Sequence, residues 1–271
     1  MPIHICSACG TSYPDTAPQP SGCRICEDER QYVPLGGQAW TTPAKLASGH
    51  VNGWRQLEAD LFEIHTYPNF AIGQRALLLR TPEGNILWDC IALLDDATEA
   101  LIRALGGLRA IAISHPHYYT CMQDWARRFD CPIRLHAADA AWVMRPDATI
   151  RHWQGETLEI AQGVTLLRLG GHFAGGTVLH WAAGADGRGA ILSGDILQVA
   201  ADTRRVSFLW SYPNMMPLAA ATVRRIAGTL APWRFERIYG AFPGRQVMAD
   251  GASAVQRSAA RYIELLEGSQ P

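Results

Sequence analysis

The sequence lacks both an excess of charge of one sign and any long hydrophobic run. Its 24 basic and 25 acidic side chains leave a formal net charge of −1, so it lacks the diffuse positive field on which non-specific nucleic-acid binding depends. No apolar run reaches the roughly 20 residues that span a bilayer. We therefore expect a protein that binds neither nucleic acid nor membrane.

The first residues also lack the features of a secretion signal. The stretch from Met1 to Cys6 contains no basic segment and no long apolar run, which favours a cytoplasmic location. Hydrophobic residues nevertheless make up 48% of the 271 residues, which is enough for a sizeable core. The length predicts one large α/β domain with a small appendage.

Two cysteine pairs of C-x2-C spacing lie near the amino terminus: Cys6 and Cys9, then Cys23 and Cys26. Two-residue spacing lets both thiolates of a pair converge on one ion, and two such pairs make a closed tetrahedral site. Gly10 follows Cys9 directly, where a metal-binding turn benefits from a residue that adopts positive φ. The pattern predicts a zinc-ribbon or rubredoxin-like module that is stabilised by a structural ion.

Other interpretations of these thiols are iron in the same thiolate cage, two disulfides, or four idle thiols. A reducing compartment disfavours disulfides, and the paired spacing disfavours idle thiols, so structural zinc is the interpretation that we adopt. The remaining cysteines, Cys90, Cys121 and Cys131, lie among apolar neighbours and are expected to be buried.

The rest of the chain alternates between strand and helix patterns. Residues 27–58 show little periodicity, contain breakers such as Pro43, and are interpreted as a connector. From about Leu61, apolar segments on either side of residues 81–84 predict a β-hairpin. After the hairpin we expect helices over 96–105, 122–129 and 137–144, with strands between them over 110–113 and 133–135. Four strands are then expected over 157–160, 164–169, 177–182 and 190–193, with a turn at 186–187 between the last two. The last expected elements are a helix over 218–229, a strand over 237–239 and a helix over 251–266. Such an order is expected when two sheets pack face to face with helices outside.

Three histidines and one aspartate lie where predicted strands end. The strand near residues 110–114 runs into His115 and His117, and two histidines at i and i+2 in a loop can turn towards one ion. His172 stands in a glycine-rich turn, and Asp195 follows another strand. Taken singly, each is more simply explained as a core, surface, turn or capping residue. Their joint order indicates a site for zinc or another divalent first-row metal.

In that order the residues resemble the signature of the metallo-β-lactamase-fold hydrolases: H-x-H-x-D-H, then a histidine in a glycine-rich turn, then an aspartate after a strand. The resemblance covers about residues 61–266. It implies an α/β fold, an αββα sandwich of two mixed β-sheets flanked by helices, with a metal site at one edge of the sheets. It also implies that His115, His117 and His172 are metal ligands and that Asp195 lies beside them.

The sequence departs from this signature at positions that would serve a second metal. Tyr119 and Thr120 replace the Asp-His pair, and no histidine follows His180, where the family has its last one. The departure implies one ion with an open position for water. Asp89 resembles the early aspartate of the family, which supports the site from behind the ligands.

The resemblance implies metal-dependent hydrolysis. An ion held by three histidines lowers the pKa of a bound water and polarises a carbonyl, which suits an ester, thioester, amide or lactone. Asp195 would be a fourth ligand or a base, and Tyr119 or Tyr118 would donate a hydrogen bond to the oxyanion. Trp210 and Tyr212 lie in an aromatic, Met-rich segment that would form an apolar wall of the substrate pocket. Packing in a core or a dimer contact explains this segment equally well.

The sequence thus predicts two domains: a four-cysteine zinc ribbon with its connector over residues 1–45, and a metallo-β-lactamase-like domain over residues 46–271. The predicted cofactors are a structural zinc ion in the ribbon and one zinc or other divalent first-row metal ion in the active site. The expected partner is a small-molecule substrate, with homo-oligomers left open. The alternative, favoured by Tyr119 and Thr120, is a non-catalytic protein of the same fold that serves binding or interaction.

Overall fold

The computed structural model describes residues 3–15 and 18–268, and the chain forms two compact units, residues 1–153 and 154–271. Each unit contains one large mixed β-sheet. The predicted domain boundary after residue 45 stays a prediction. In the described part of the chain, no helix is long and apolar enough to cross a membrane.

The ribbon opens the first unit. Its short strands are β1 (His4–Cys6), β2 (Ser12–Tyr13) and β3 (Trp40–Thr41), and helix α1 (Arg24–Glu27) begins directly after Cys23. These strands form an antiparallel sheet of order β2-β1-β3. Gly10 has a φ of +80°, so the positive φ predicted after Cys9 is confirmed.

The larger sheet of the first unit brings Asp89 and the loop of His115 to one edge. Its strands are β4 (Val51–Glu58), β5 (Leu61–Tyr67), β6 (Arg75–Leu79), β7 (Ile86–Trp88), β8 (Ala110–Ala112), β9 (Ile133–His136) and β10 (Ile150–Trp153). They lie in the order β10-β9-β8-β7-β6-β5-β4, antiparallel from β4 to β7 and parallel from β7 to β10. Because β7 and β8 are parallel, their carboxyl ends meet at the same edge. Asp89 and the loop that carries His115 therefore start side by side.

The helices of this unit after the ribbon are α2 (Pro43–Gly49), α3 (Asp96–Ala104) and α4 (Met122–Phe129), with 3₁₀ turns at Pro116–Tyr118 and Ala137–Trp142. The hairpin predicted around residues 81–84 is confirmed by the antiparallel pairing of β6 with β7, and α4 has the predicted bounds. The helix predicted over 137–144 is wrong in type, because this segment is the second 3₁₀ turn.

The connector predicted over residues 27–58 is wrong in its second half, where α2 and β4 lie. Pro43 begins α2 instead of breaking structure, because proline suits the first turn of a helix and Thr42 accepts a hydrogen bond from the Lys45 N–H at 3.3 Å. Strand β4 is at the sheet edge and is half-buried or exposed throughout, so its sequence shows none of the alternation that identifies a strand.

The second unit contains a sheet whose loops carry the other two candidate residues. The strands of this unit are β11 (Thr157–Ala161), β12 (Val164–Arg168), β13 (Thr177–Trp181), β14 (Ala190–Gly194), β15 (Gln198–Val199), β16 (Val206–Ser207), β17 (Leu209–Ser211), β18 (Met216–Pro217), β19 (Arg237–Gly240) and β20 (Gln246–Val247). Strands β15 and β16 form one two-stranded sheet, and β17 and β18 form another. The main sheet has the order β11-β12-β13-β14-β19-β20. Strands β12 and β14 are both antiparallel to β13, so their carboxyl ends lie at the same edge.

The helices of the second unit are α5 (Gly184–Gly187), α6 (Ala220–Leu230) and α7 (Gly251–Leu266). The strands predicted between residues 157 and 193 and the two long helices are confirmed to within a few residues. Ala185 and Asp186 are left-handed, so α5 is in effect the predicted turn between β13 and β14. Side chains of α6 and α7, such as Ile226 and Val255, share one buried cluster with Ile191 of β14, which fixes the sheet from which the site loops emerge.

Candidate metal sites

The four ribbon cysteines lie together in a buried cluster. The sulfur atoms of Cys6, Cys9, Cys23 and Cys26 all lie within 4.8 Å of one another, and no side chain of the four is more than 2% exposed. The sulfur atoms of Cys6 and Cys26 are 3.6 Å apart, and those of Cys9 and Cys23 are also 3.6 Å apart. These separations far exceed an S–S bond of about 2.05 Å, so the pairs are thiols. Four converging sulfurs suit a closed tetrahedral metal site.

Polar groups around this cluster are placed to stabilise thiolates. Gln38 Nε2 donates to Cys6 Sγ at 3.2 Å, and the Tyr13 hydroxyl donates to Cys23 Sγ at 3.3 Å. Hydrogen bonding from the Cys23 thiol, the largest effect, lowers the pKa of Cys6. Burial raises the pKa of Tyr13, which keeps its phenol protonated as a donor. Such donors to the ligand atoms are a regular feature of metal sites.

In the first unit, His115 and His117 lie on the loop that follows β8. The backbone at His115 is extended and Pro116 begins the 3₁₀ turn, so the two histidines no longer alternate between faces as they would in a strand. Their ring centroids are 5.0 Å apart, and ring nitrogens of the two lie within 4.8 Å of each other. The side chains are 1% and 2% exposed. The two imidazoles therefore converge, as their spacing predicts.

Asp89 supports this loop from the end of the neighbouring strand. Its φ is +59°, a conformation that aspartate tolerates better than most residues, and its Oδ1 accepts a hydrogen bond of 2.7 Å from the Ser114 N–H. Ser114 Oγ in turn lies 2.9 Å from His115 Nδ1, and the Tyr118 ring meets the His115 ring edge-on at 4.5 Å. These contacts fix the orientation of the His115 imidazole.

In the second unit, His172 lies in the turn that follows β12. Gly171 in this turn has a φ of +86°, a conformation that favours glycine, and a Cβ there would lie 2.9 Å from Leu218 Cδ1, so that Leu218 would have to shift. The His172 side chain is buried, and its Nδ1 lies 2.7 Å from the Trp210 carbonyl oxygen. A carbonyl only accepts, so Nδ1 carries a proton, and the neutral form of this imidazole has its lone pair on Nε2. Metal-bound histidines are commonly held in this way.

Asp195 follows β14 at the same sheet edge as His172. It is 4% exposed, and one of its carboxylate oxygens lies within 4.8 Å of a ring nitrogen of His172. The Tyr212 hydroxyl donates to the Asp195 backbone carbonyl, and the Tyr212 ring lies 5.3 Å from the His172 ring. The β17–β18 hairpin therefore contacts both candidate ligands of this unit.

The aromatic residues predicted at the site lie beside candidate ligands or in the core. Tyr118 and Tyr119 are buried, and burial raises the pKa of Tyr119 well above its usual range, with a further contribution from the charge of Asp139. Trp210 packs partly buried against the core of the second unit. Burial likewise raises the pKa of Tyr212. These contacts do not test the predicted oxyanion and substrate roles, which stay predictions.

Three groups near these sites were not among the residues predicted from the sequence: Ser12, Ser114 and the carbonyl of Trp210. Ser114 directly precedes His115, so its hydroxyl could have been noticed. Ser12 donates from its N–H and its Oγ to the carbonyl oxygen of Thr120, at 2.9 and 2.8 Å. Contacts that end on a backbone carbonyl leave no trace in the sequence, because every residue carries one.

The fold that carries these sites is that of the metallo-β-lactamases. The structure is similar to DIM-1 metallo-β-lactamase, with a TM-score of 0.59, 13% identity and coverage of 81% of this chain and 98% of that chain. It is also similar to VMB-1, with a TM-score of 0.56, 11% identity and coverage of 79% and 97%. A third similar structure is a B3 metallo-β-lactamase with an active-site glutamic acid, with a TM-score of 0.54, 15% identity and coverage of 90% of this chain and 97% of that chain. At such identities the likeness establishes the fold alone, and the predicted fold class is confirmed.

No family model matches the sequence. The chain is 48% identical over 268 residues to the uncharacterized protein YmaE of Bacillus subtilis (strain 168), which covers 98% of this chain and 97% of YmaE. The chain therefore belongs to the same family as YmaE, within the metallo-β-lactamase fold.

Proposed function

We propose that this protein is a metal-dependent hydrolase with one divalent first-row metal ion, zinc above all, in its active site and a structural zinc ion in its ribbon. The proposed ligands of the active-site ion are His115, His117, His172 and Asp195. The observation that supports the proposal most is the buried His172 imidazole, whose Nδ1–H donates to the Trp210 carbonyl and leaves Nε2 as the nitrogen that can bind a metal. A metal ligand requires a neutral imidazole that is held in one orientation.

An ordinary core histidine is the simplest other explanation for a buried imidazole. His180 is an example: it lies within β13, its Nε2 is 2.9 Å from the Arg234 carbonyl oxygen, and burial lowers its pKa. His115, His117 and His172 differ from it because each lies in a loop at a strand end, beside another candidate ligand. Strand-end loops on a rigid sheet are where catalytic groups concentrate.

When bound, the ion would lower the pKa of a coordinated water and polarise a carbonyl. The Asp195 carboxylate completes the ligand set or accepts the proton of the attacking water. The Tyr119 hydroxyl, with Tyr118 as the other candidate, donates to the oxyanion, a role for which the raised pKa of Tyr119 keeps it protonated. Trp210 and Tyr212 form an apolar wall for the substrate.

The substrate class follows from the number of ions. Tyr119 and Thr120 occupy the positions of an Asp-His ligand pair in the signature that the sequence resembles, and neither side chain is a ready metal ligand. Phosphodiester hydrolysis by a two-metal clamp needs both ions. We therefore propose a small ester, thioester, amide or lactone as the substrate.

The test is hydrolysis by the zinc-loaded protein of an aryl ester, an aryl thioester, an anilide and a lactone. Removing a ligand in His172→Ala should lower kcat/KM by on the order of 100-fold or more. His152→Ala, which removes an exposed histidine of β10, should leave kcat/KM unchanged. Equal rates in the two variants would show that the histidine site does not carry the activity.

The second candidate is a non-catalytic binding module of the same fold. It is favoured by the presence of Tyr119 and Thr120 where ligands are expected. If this candidate is right, the wild-type protein would still bind a metal ion at the histidines. It would hydrolyse none of the four substrates faster than the His172→Ala variant does.

A further inference from the structure

The ribbon contacts the rest of its unit at a strained residue just beyond the candidate metal loop. Thr120 lies between the 3₁₀ turn Pro116–Tyr118 and α4, and its φ is +34°. A β-branched residue strongly disfavours this left-handed region, and such strain persists only where the surroundings enforce it. The contacts of Thr120 therefore decide the path of the chain between His117 and α4.

Ser12 supplies the enforcing contact. Both its backbone N–H and its Oγ donate to the carbonyl oxygen of Thr120, at 2.9 and 2.8 Å. Ser12 and Thr120 are each only 1% exposed, so water does not compete for this carbonyl. Gly10 lies against the other end of the same residue, since a Cβ on Gly10 would come within 3.4 Å of Thr120 Cγ2.

The position of Ser12 depends on the first cysteine pair. The Gly10 N–H donates to the Cys6 carbonyl at 2.8 Å, and the Cys6 N–H donates to the Thr11 carbonyl at 3.0 Å. These bonds close the turn that holds Cys6 and Cys9 and fix Thr11, the neighbour of Ser12. An ion that holds the cysteines in place thus also holds Ser12 in place.

Short-range backbone hydrogen bonds order the loop residues on both sides of Thr120, including the residues beside the candidate ligands. The Tyr118 N–H donates to the His115 carbonyl at 3.1 Å, and the Tyr119 N–H donates to the Pro116 carbonyl at 3.2 Å. On the other side, the Met122 N–H donates to the Tyr119 carbonyl at 2.9 Å. The residues before and after Thr120 are therefore hydrogen-bonded within the loop, and Thr120, which Ser12 holds, joins them along the backbone.

We propose that Ser12 is a positioning residue, through which the metal-bearing ribbon holds Thr120 in its left-handed conformation and so sets the loop of His115 and His117. The consequence for catalysis rests on the proposed function, whereas the contact itself does not. The ribbon then has a task beyond its own folding: loss of its ion would loosen the candidate active-site loop.

The primary test is amide hydrogen exchange in the full chain with its ribbon loaded with zinc. Ser12→Ala removes one of the two donors to Thr120, so the Tyr118, Tyr119 and Met122 amides should exchange roughly fivefold faster. Ser12→Thr, which keeps the hydroxyl, should restore the wild-type rates. Ser21→Ala, at an exposed ribbon serine, should leave them unchanged.

A second variant separates positioning from general stabilisation. Glycine adopts the left-handed conformation without strain, so in a Thr120→Gly background the added Ser12→Ala should accelerate loop exchange clearly less than fivefold. An equal acceleration in both backgrounds, or one that spreads to the β5 and β6 amides, would overturn the proposal. So would unchanged exchange of the loop in Ser12→Ala.

Titration with Co²⁺ measures the metal affinity of the histidine site and so tests whether Ser12 affects metal binding there. In protein whose ribbon holds zinc, Ser12→Ala should weaken Co²⁺ binding at the histidines severalfold, and Ser21→Ala should not. Unchanged binding in Ser12→Ala would overturn the link to the metal loop. If wild type binds no Co²⁺ at the histidines, the proposed function fails, and the exchange rates still decide whether Ser12 holds the loop.

Discussion

The four-cysteine cluster and the histidine–aspartate residues show two ways of arranging candidate metal ligands. The cysteines come from two short local motifs in one small module, and protein sulfurs fill all four positions. The histidines and Asp195 lie in loops that follow strands. Distant groups contact three of these four residues: Asp89 reaches His115 through Ser114, the Trp210 carbonyl accepts from His172, and the Tyr212 hydroxyl donates to Asp195. A closed structural site can be specified by local spacing, whereas a reactive one depends on sheet topology and on its supporting residues.

The largest expected effect concerns the closed site. Cys26→Ser should remove the ribbon ion and destabilise the fold by several kcal/mol, because metal binding in such modules is folding energy. Metal analysis and thermal unfolding measure the two losses. Cys131→Ala is the matched control, since Cys131 is buried outside the cluster and burial raises its pKa to about 12. If the ribbon of Cys26→Ser kept its ion, the four cysteines would not form a closed metal site, and the contrast between the two clusters would be wrong.

A smaller effect is expected at the carboxylate behind the histidine loop. Asp89→Ala removes a buried acceptor of the Ser114 N–H and places alanine at a φ of +59°, which should cost about 2–4 kcal/mol in the free energy of unfolding. Denaturant unfolding measures this cost. Asp89→Asn keeps an acceptor and tolerates positive φ, so it should cost less than half as much. Equal losses in the two variants would mean that this contact does not support the loop.

The smallest effect concerns the hairpin beside His172 and Asp195. Tyr212→Phe removes the hydroxyl that donates to the Asp195 carbonyl, which should weaken metal binding at the histidine site about tenfold and leave the ribbon ion in place. Thr229→Val is the control: it removes a hydroxyl that donates to a backbone carbonyl, that of Arg225 at 3.0 Å, within α6 of the same unit. Equal affinities in the two variants would show that the hairpin does not orient the ligands.

The contrast between local spacing and long-range contacts also explains which features of the fold and of the candidate sites could be predicted from the sequence. The C-x2-C pairs reveal the ribbon directly, and the order of His115, His117, His172 and Asp195 indicates the fold through its resemblance to a known family. Strand β4 was missed because an exposed edge strand carries no apolar alternation. The contact of Ser12 with Thr120 and that of His172 with Trp210 were missed because each depends on a backbone carbonyl from a distant part of the chain.

Metal stoichiometry tests the central claim most directly. We predict about two ions per wild-type chain and about one in His117→Ala, with the remaining ion bound by the four cysteines. Wild-type protein that holds only one ion, lost altogether in Cys6→Ala, would contradict the account.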